Sequence, residues 1–127
     1  MTPEGRTKKQ IKDWFKLLGD RVYYYMPIKR ALGTRTIDFL VCMDGRYVGI
    51  EAKSATGRLT ALQAKTLKQI AKAGGLAYVA RPGFGKSSFV LHLLDRDGKI
   101  SQHYFSPVSP GLSIERSPAW FTIKSIT

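Results

Sequence analysis

The stretch Thr36–Lys53, TIDFLVCMDGRYVGIEAK, decides the fold of this 127-residue chain. Asp44-Gly45 is a strong two-residue hairpin signal between two apolar, β-prone runs. A turn made of those two residues sets Met43 opposite Arg46, so the numbers of cross-strand partners sum to 89. Asp38 then stands opposite Glu51. Alternate residues of a strand share a face, which puts Lys53 on the side of Glu51. Directly opposed side chains have Cβ atoms roughly 4.5–5.5 Å apart, and like charges so placed repel. At about 5 Å and an effective dielectric of about 20, that repulsion is of order 3 kcal/mol. A chain that needed only a stable sheet would gain by avoiding the pair. A hard divalent cation between the carboxylates turns the cost into a gain. The plainer alternative is a solvated pair on an exposed sheet face, neutralised by Lys53 and Arg46.

Upstream, Ile11, Trp14, Phe15 and Leu18 fall at helical spacing, which predicts a helix from Thr7 to Leu18 ending at Gly19. Lys8, Lys9, Lys12 and Lys16 occupy the rest of its surface. Val22 to Ile28 reads as a first strand, with Pro27 marking a sheet edge or a strand end. A basic loop, Lys29 to Arg35, leads into the hairpin, whose strands are expected near 36–43 and 46–53.

Downstream, Thr60-Ala61-Leu62-Gln63 fits a capping box. It opens a second helix whose buried stripe is Leu67, Ile70 and Ala71, closed by Gly74-Gly75. Leu76 to Ala80 is continuously apolar, as in a strand covered on both faces. Because it follows a helical crossover, it is expected to run parallel to the strand from Arg46 to Lys53. Ser88–Leu94 and Ile100–Ser106 read as a further hairpin around Asp97-Gly98. Pro107 to Pro118 reads as loop and Phe121 to Ile126 as a final strand.

The length suits one domain over residues 1–127, with a core at about 4–81 and a C-terminal β extension over 82–127. Hydrophobic content of 43% and aromatic content of 11% fit a globular protein. No apolar run reaches the roughly 20 residues needed to span a bilayer, and no signal-peptide pattern is seen. The single cysteine, Cys42, excludes an intramolecular disulfide or a multi-cysteine zinc site. An intracellular, cytoplasmic setting is the expectation. The net charge of +12, from 21 basic and 9 acidic residues, favours nucleic acid, since neutralised phosphates release counterions. Anionic lipid would be attracted too, and plain solubility would also explain the charge. No membrane partner and no small-molecule substrate are expected.

The pattern GTRTIDFLVCMDGRYVGIEAKSATGRLTALQAKTLKQIAKAGGLAYVAR, residues 33–81, resembles the VRR-Nuc branch of the PD-(D/E)xK nucleases. The elements that carry the resemblance are Asp38, Glu51-Ala52-Lys53, Gly57-Arg58-Leu59-Thr60, Gln63 and Gly74-Gly75, in order, and it extends back to Glu4. One of them alone would be weak, because Glu-X-Lys occurs by chance in many strands. The resemblance implies an α/β fold: a restriction-endonuclease-like core, α-β-β-β-α-β, with a mixed sheet flanked by helices and here an extra C-terminal β-hairpin. It implies a DNA endonuclease that uses Mg²⁺ or Mn²⁺ and leaves a 5′-phosphate and a 3′-hydroxyl. Asp38, Glu51 and the Ala52 carbonyl are then metal ligands, and Lys53 orients water or stabilises developing negative charge. Glu4 matches an acid on the first helix that holds a second ion or a water bound to one, and Gln63 matches a glutamine that orients the site. Small stand-alone members, of the phage-like Holliday-junction-resolvase type, imply a homodimer acting on branched DNA in a bacterial or phage-infected cell. The residue before the aspartate is usually proline in this family, and here it is Ile37.

Several residues have a second, ordinary explanation. Gln63 is adequate as a capping residue, and Glu4 suits the dipole at a helix start. Lys29, Arg30, Arg35 and Arg58 flank the proposed site and can contact phosphates, or simply be solvated charge. A nuclease-like module that binds nucleic acid without cutting it fits the net charge equally well. His92 and His103 would face each other across a two-residue Asp97-Gly98 turn, but two histidines with no third ligand rarely make a zinc site. Cys42 shares the face of Asp38 by parity, yet no neighbouring base marks it as a nucleophile.

Overall fold

The computed structural model describes residues 1–28, 37–83, 89–97 and 100–105, the last six by their backbone. In chain order the elements are α1 (Pro3–Leu18), a 3₁₀ turn (Gly19–Arg21), β1 (Val22–Tyr25), β2 (Phe39–Met43), β3 (Arg46–Ala52), α2 (Ala61–Lys72), β4 (Leu76–Pro82), β5 (Phe89–Leu94) and β6 (Ile100–Phe105). The strands form one mixed sheet in the order β1-β2-β3-β4-β5-β6. Only the β3–β4 pairing within it is parallel, as the α2 crossover requires. This is the α/β architecture expected of a restriction-endonuclease-like core, with β5 and β6 as the additional hairpin.

The core has two layers, one on each side of the sheet. On one side Ile11, Trp14, Phe15 and Leu18 of α1 pack against residues such as Phe39, Val41, Ile50 and Tyr78. On the other side Leu67 and Ala71 of α2 close over Ile37, Ala77 and Val79. The first five residues of β4 are all buried, which explains their unbroken apolar run. Among the described residues, no helix is long and apolar enough to cross a membrane.

Helix α1 starts at Pro3, four residues before the apolar period first shows it. Thr2 Oγ1 accepts the Gly5 N–H at 3.0 Å, and a proline in the first turn gives up a donor that would be unpaired there anyway. Glu4 is therefore helical, in the first turn. Strand β1 ends at Tyr25 instead of Ile28, with Tyr25–Leu40 its last pair. Pro27, which has no N–H for a ladder, lies two residues further on.

The hairpin register is the expected one: Met43 pairs with Arg46 and Phe39 with Ile50. Asp44 and Gly45 have φ of 50° and 81°, the two positive values a type I′ turn demands. Arg21 clamps this turn, its Nε donating to Asp44 Oδ1 at 2.9 Å and its Nη2 to Asp44 Oδ2. That hydrogen bonding holds the Asp44 carboxyl below the usual carboxylate range.

The β5–β6 register departs from the two-residue reading. Leu94 pairs with Ile100, so residues 95–99 connect the strands, and His92 pairs with Gln102 while His103 pairs with Leu91. An odd number of connecting residues shifts every pair by one, so the two histidines are not opposite one another. The segments Pro107–Pro118 and Phe121–Ile126 lie outside the described residues.

Candidate metal and catalytic site

The β2–β3 hairpin brings Asp38 and Glu51 together in an interlocked way. Asp38 immediately precedes β2, and Glu51 is next to last in β3. The Asp38 N–H donates to Glu51 Oε1 at 2.9 Å, and the Ala52 N–H donates to Asp38 Oδ2 at 2.8 Å. Each acid is thus seated on the main chain of the opposite strand. Both are nearly inaccessible, with exposures of 4% for Asp38 and 1% for Glu51. Buried carboxylates persist only when they are paired and hydrogen-bonded, and charge-assisted bonds from backbone N–H groups are among the strongest available. Ile37 is fully buried against the α2 layer. Packing therefore anchors the residue before Asp38.

Two further side chains converge on Glu51. Gln63 Nε2 donates to Glu51 Oε2 at 2.9 Å, and Lys53 Nζ lies 3.6 Å from the same oxygen. Gln63 also closes the capping box: its Oε1 accepts the Thr60 N–H at 3.0 Å, and its own N–H reaches Thr60 Oγ1 at 3.1 Å. One amide thus caps α2 and hydrogen-bonds the Glu51 carboxylate.

A residue that the sequence reading did not single out, Lys8, faces Asp38. Its Nζ lies 3.3 Å from Asp38 Oδ1 and 3.5 Å from Glu4 Oε2. Glu4 is thereby linked to the pair through a lysine. The only local signal was the i, i+4 spacing of Glu4 and Lys8.

The loop between β3 and α2 is held by Arg81, also not singled out from sequence. Its Nη1 donates to the carbonyls of Ser54 and Gly57, each at 2.7 Å. Gly57 returns its N–H to Ser54 Oγ at 2.9 Å, and a Cβ at Gly57 would meet that same oxygen at 2.9 Å. Arg58 is exposed on this loop. Lys29, Arg30 and Arg35 lie outside the described residues.

Among the described residues, no group of three or more His, Cys, Asp or Glu side chains forms a metal cage. Two fixed carboxylates are nonetheless what Mg²⁺ commonly takes from a protein, the remaining positions going to waters and substrate phosphates. The Ala52 N–H points at Asp38, and in an extended strand a residue's carbonyl projects to the same side as its N–H. Hard oxygen donors at Asp38, Glu51 and Ala52 suit Mg²⁺ or Mn²⁺ and do not suit a soft metal.

No family model and no curated sequence matches this chain. Among solved structures, the Holliday junction resolvase Hjc of Archaeoglobus fulgidus aligns with a TM-score of 0.49 and 16% sequence identity, over 79% of this chain and 84% of that one.

Proposed function

We propose that this protein is a metal-dependent endonuclease of the VRR-Nuc type that hydrolyses phosphodiester bonds in DNA. The observation that carries the reading is the interlocked, buried pair Asp38 and Glu51 with Lys53 and Gln63 directed at Glu51. Two like charges withdrawn from water weaken a sheet, and such arrangements concentrate where a site needs them. Asp38, Glu51 and the Ala52 carbonyl would hold Mg²⁺ or Mn²⁺, with Glu4 available for a second ion. When bound, the ion supplies Lewis-acid polarisation of the phosphate and a more acidic water.

The chain's own residues do the rest. Gln63 fixes the rotation of the Glu51 carboxylate. The Lys53 ammonium, beside Glu51, orients the attacking water and offsets negative charge developing on the phosphate oxygens. Water adds to phosphorus and the bond to the 3′ oxygen breaks. The leaving oxygen takes a proton, giving 5′-phosphate and 3′-hydroxyl ends. Arg58, with Lys29, Arg30 and Arg35, is proposed to grip the phosphate backbone, in keeping with the charge of +12.

Branched DNA such as a four-way junction is the proposed substrate, and a homodimer the proposed form. A two-fold dimer presents two equivalent sites to two matching strands. The test offers a labelled junction, linear duplex and single strand, each as DNA and RNA, with Mg²⁺, Mn²⁺ or EDTA. Junction DNA should be cut with either ion and left whole in EDTA or by Asp38→Asn. Cleavage that survives EDTA would overturn the reading. Tight, salt-sensitive binding without cutting under any ion would replace it with a non-catalytic nucleic-acid-binding module.

A further inference from the structure

Lys8 introduces a second cation question into the same site. Its ammonium touches both Asp38 Oδ1 and Glu4 Oε2, at 3.3 and 3.5 Å, so one positive charge already joins the two acids. The Lys8 side chain is 31% exposed against 4% for Asp38, so it reaches a buried carboxylate from the solvent side. Its root is fixed, because Thr7 and Ile11 on the inner face of α1 are buried at 1% and 0%. The stem beyond is four flexible carbons. The ammonium can therefore leave without moving the helix.

We propose that Lys8 is a built-in rival for the divalent ion. In the DNA-free protein its ammonium holds Asp38 and Glu4 together, and it must give up Asp38 Oδ1 before that carboxylate is wholly available to metal. The DNA-free protein then holds the ion weakly, and tight loading awaits the extra oxygen ligands of a substrate phosphate. This inference rests on the metal-dependent reading above and adds an order of events to it: phosphate and metal arrive together.

The test measures Mn²⁺ binding to the purified full chain without DNA, by calorimetry and by the loss of the free Mn²⁺ resonance signal. Lys8→Met should lower the Mn²⁺ Kd by about tenfold or more, because it removes both the repulsion and the competing contact. Lys8→Arg, which keeps the charge, should restore a value within about twofold of the original. Lys9→Met removes an equal charge from the same helix, but from a lysine paired with Asp13 at 2.8 Å. It should shift Kd by less than about threefold, because exposed charges are screened. Thermal melts followed by circular dichroism confirm that each variant is folded.

An unchanged or weaker Kd in folded Lys8→Met, with Asp38→Asn still abolishing binding, overturns the role of Lys8 and leaves the metal site standing. Absence of Mn²⁺ binding in both the parent and folded Lys8→Met overturns this inference, while the metal reading falls only if junction cleavage survives EDTA. Binding seen in Lys8→Met alone supports both.

Discussion

Gln63 holds the first turn of α2 with one end of its amide and the Glu51 carboxylate with the other, at 3.0 and 2.9 Å. The assignment of its oxygen and nitrogen is forced, since Thr60 N–H needs an acceptor and a carboxylate needs a donor. Helix capping and carboxylate orientation are therefore one mechanical unit.

This linkage can be separated by exchange. Gln63→Glu keeps the acceptor for Thr60 but sets a second carboxylate against Glu51. It should cost about 2 kcal/mol, the worth of a charge-assisted hydrogen bond. Glu51→Gln alone turns a donor toward Gln63 and should cost a similar amount. Together they restore a donor–acceptor pair of reversed direction, so the double variant should recover about 1–3 kcal/mol relative to additivity. Urea unfolding at constant m-value measures the cycle.

Catalysis and ion binding should part company at Lys53. Lys53→Met should slow junction cleavage by about 10²–10³-fold, the usual loss when a preorganised positive group is removed from a reaction centre. Mn²⁺ affinity should hold or rise, since a cation beside Glu51 has gone. Asp38→Asn should lose both properties. Single-turnover cleavage and calorimetry on the same preparations check the split.

Arg81 should govern the loop that carries Arg58. Arg81→Met removes bonds to the Ser54 and Gly57 carbonyls, each 2.7 Å long. A stability loss of about 1.5–3 kcal/mol is expected from these charge-assisted bonds. Amide exchange over residues 54–60 should quicken more than in β4, and KM for DNA should rise more than kcat falls.

The Arg21–Asp44 clamp should make part of the stability depend on acid. Arg21 lowers the Asp44 pKa chiefly by hydrogen bonding, so the folded state releases this proton more readily than the unfolded one. The contribution is complete above the ordinary aspartate value of about 4 and disappears as pH falls through the lower folded value. Both side chains are nearly a third exposed, at 28% and 30%. Solvent screening therefore limits the effect to about 1 kcal/mol or less. Asp44→Asn keeps the turn preference for positive φ. It should melt below the parent at neutral pH, and the gap should close in acid.

Much of this arrangement was legible before any coordinates. Asp44-Gly45 admits one short turn, and a two-residue turn leaves one register, so the pairing of Asp38 with Glu51 followed from counting. Gln63 was visible because a capping box is a local pattern. The start of α1 was not, because residues 3–6 present no apolar period and the helix there rests on Thr2 and Pro3. Lys8 and Arg81 escaped because their partners are distant in the chain: Asp38 is 30 residues from Lys8, and Ser54 is 27 residues from Arg81. The two β5–β6 strands were legible to within a residue, but their register was not, because an Asp-Gly step alone does not say whether it is the whole connection, and five residues join those strands.

The mutual seating of Asp38 and Glu51 on each other's backbone turns the hairpin into a measuring gauge for the proposed reaction centre. Lengthening the bend at Asp44-Gly45 by one residue would slide one strand past the other and unseat both acids at once, although neither had been altered. Tolerance to insertion at that bend should therefore track retention of chemistry rather than of folding. An inserted glycine there would give a molecule that still builds its sheet but has lost its centre.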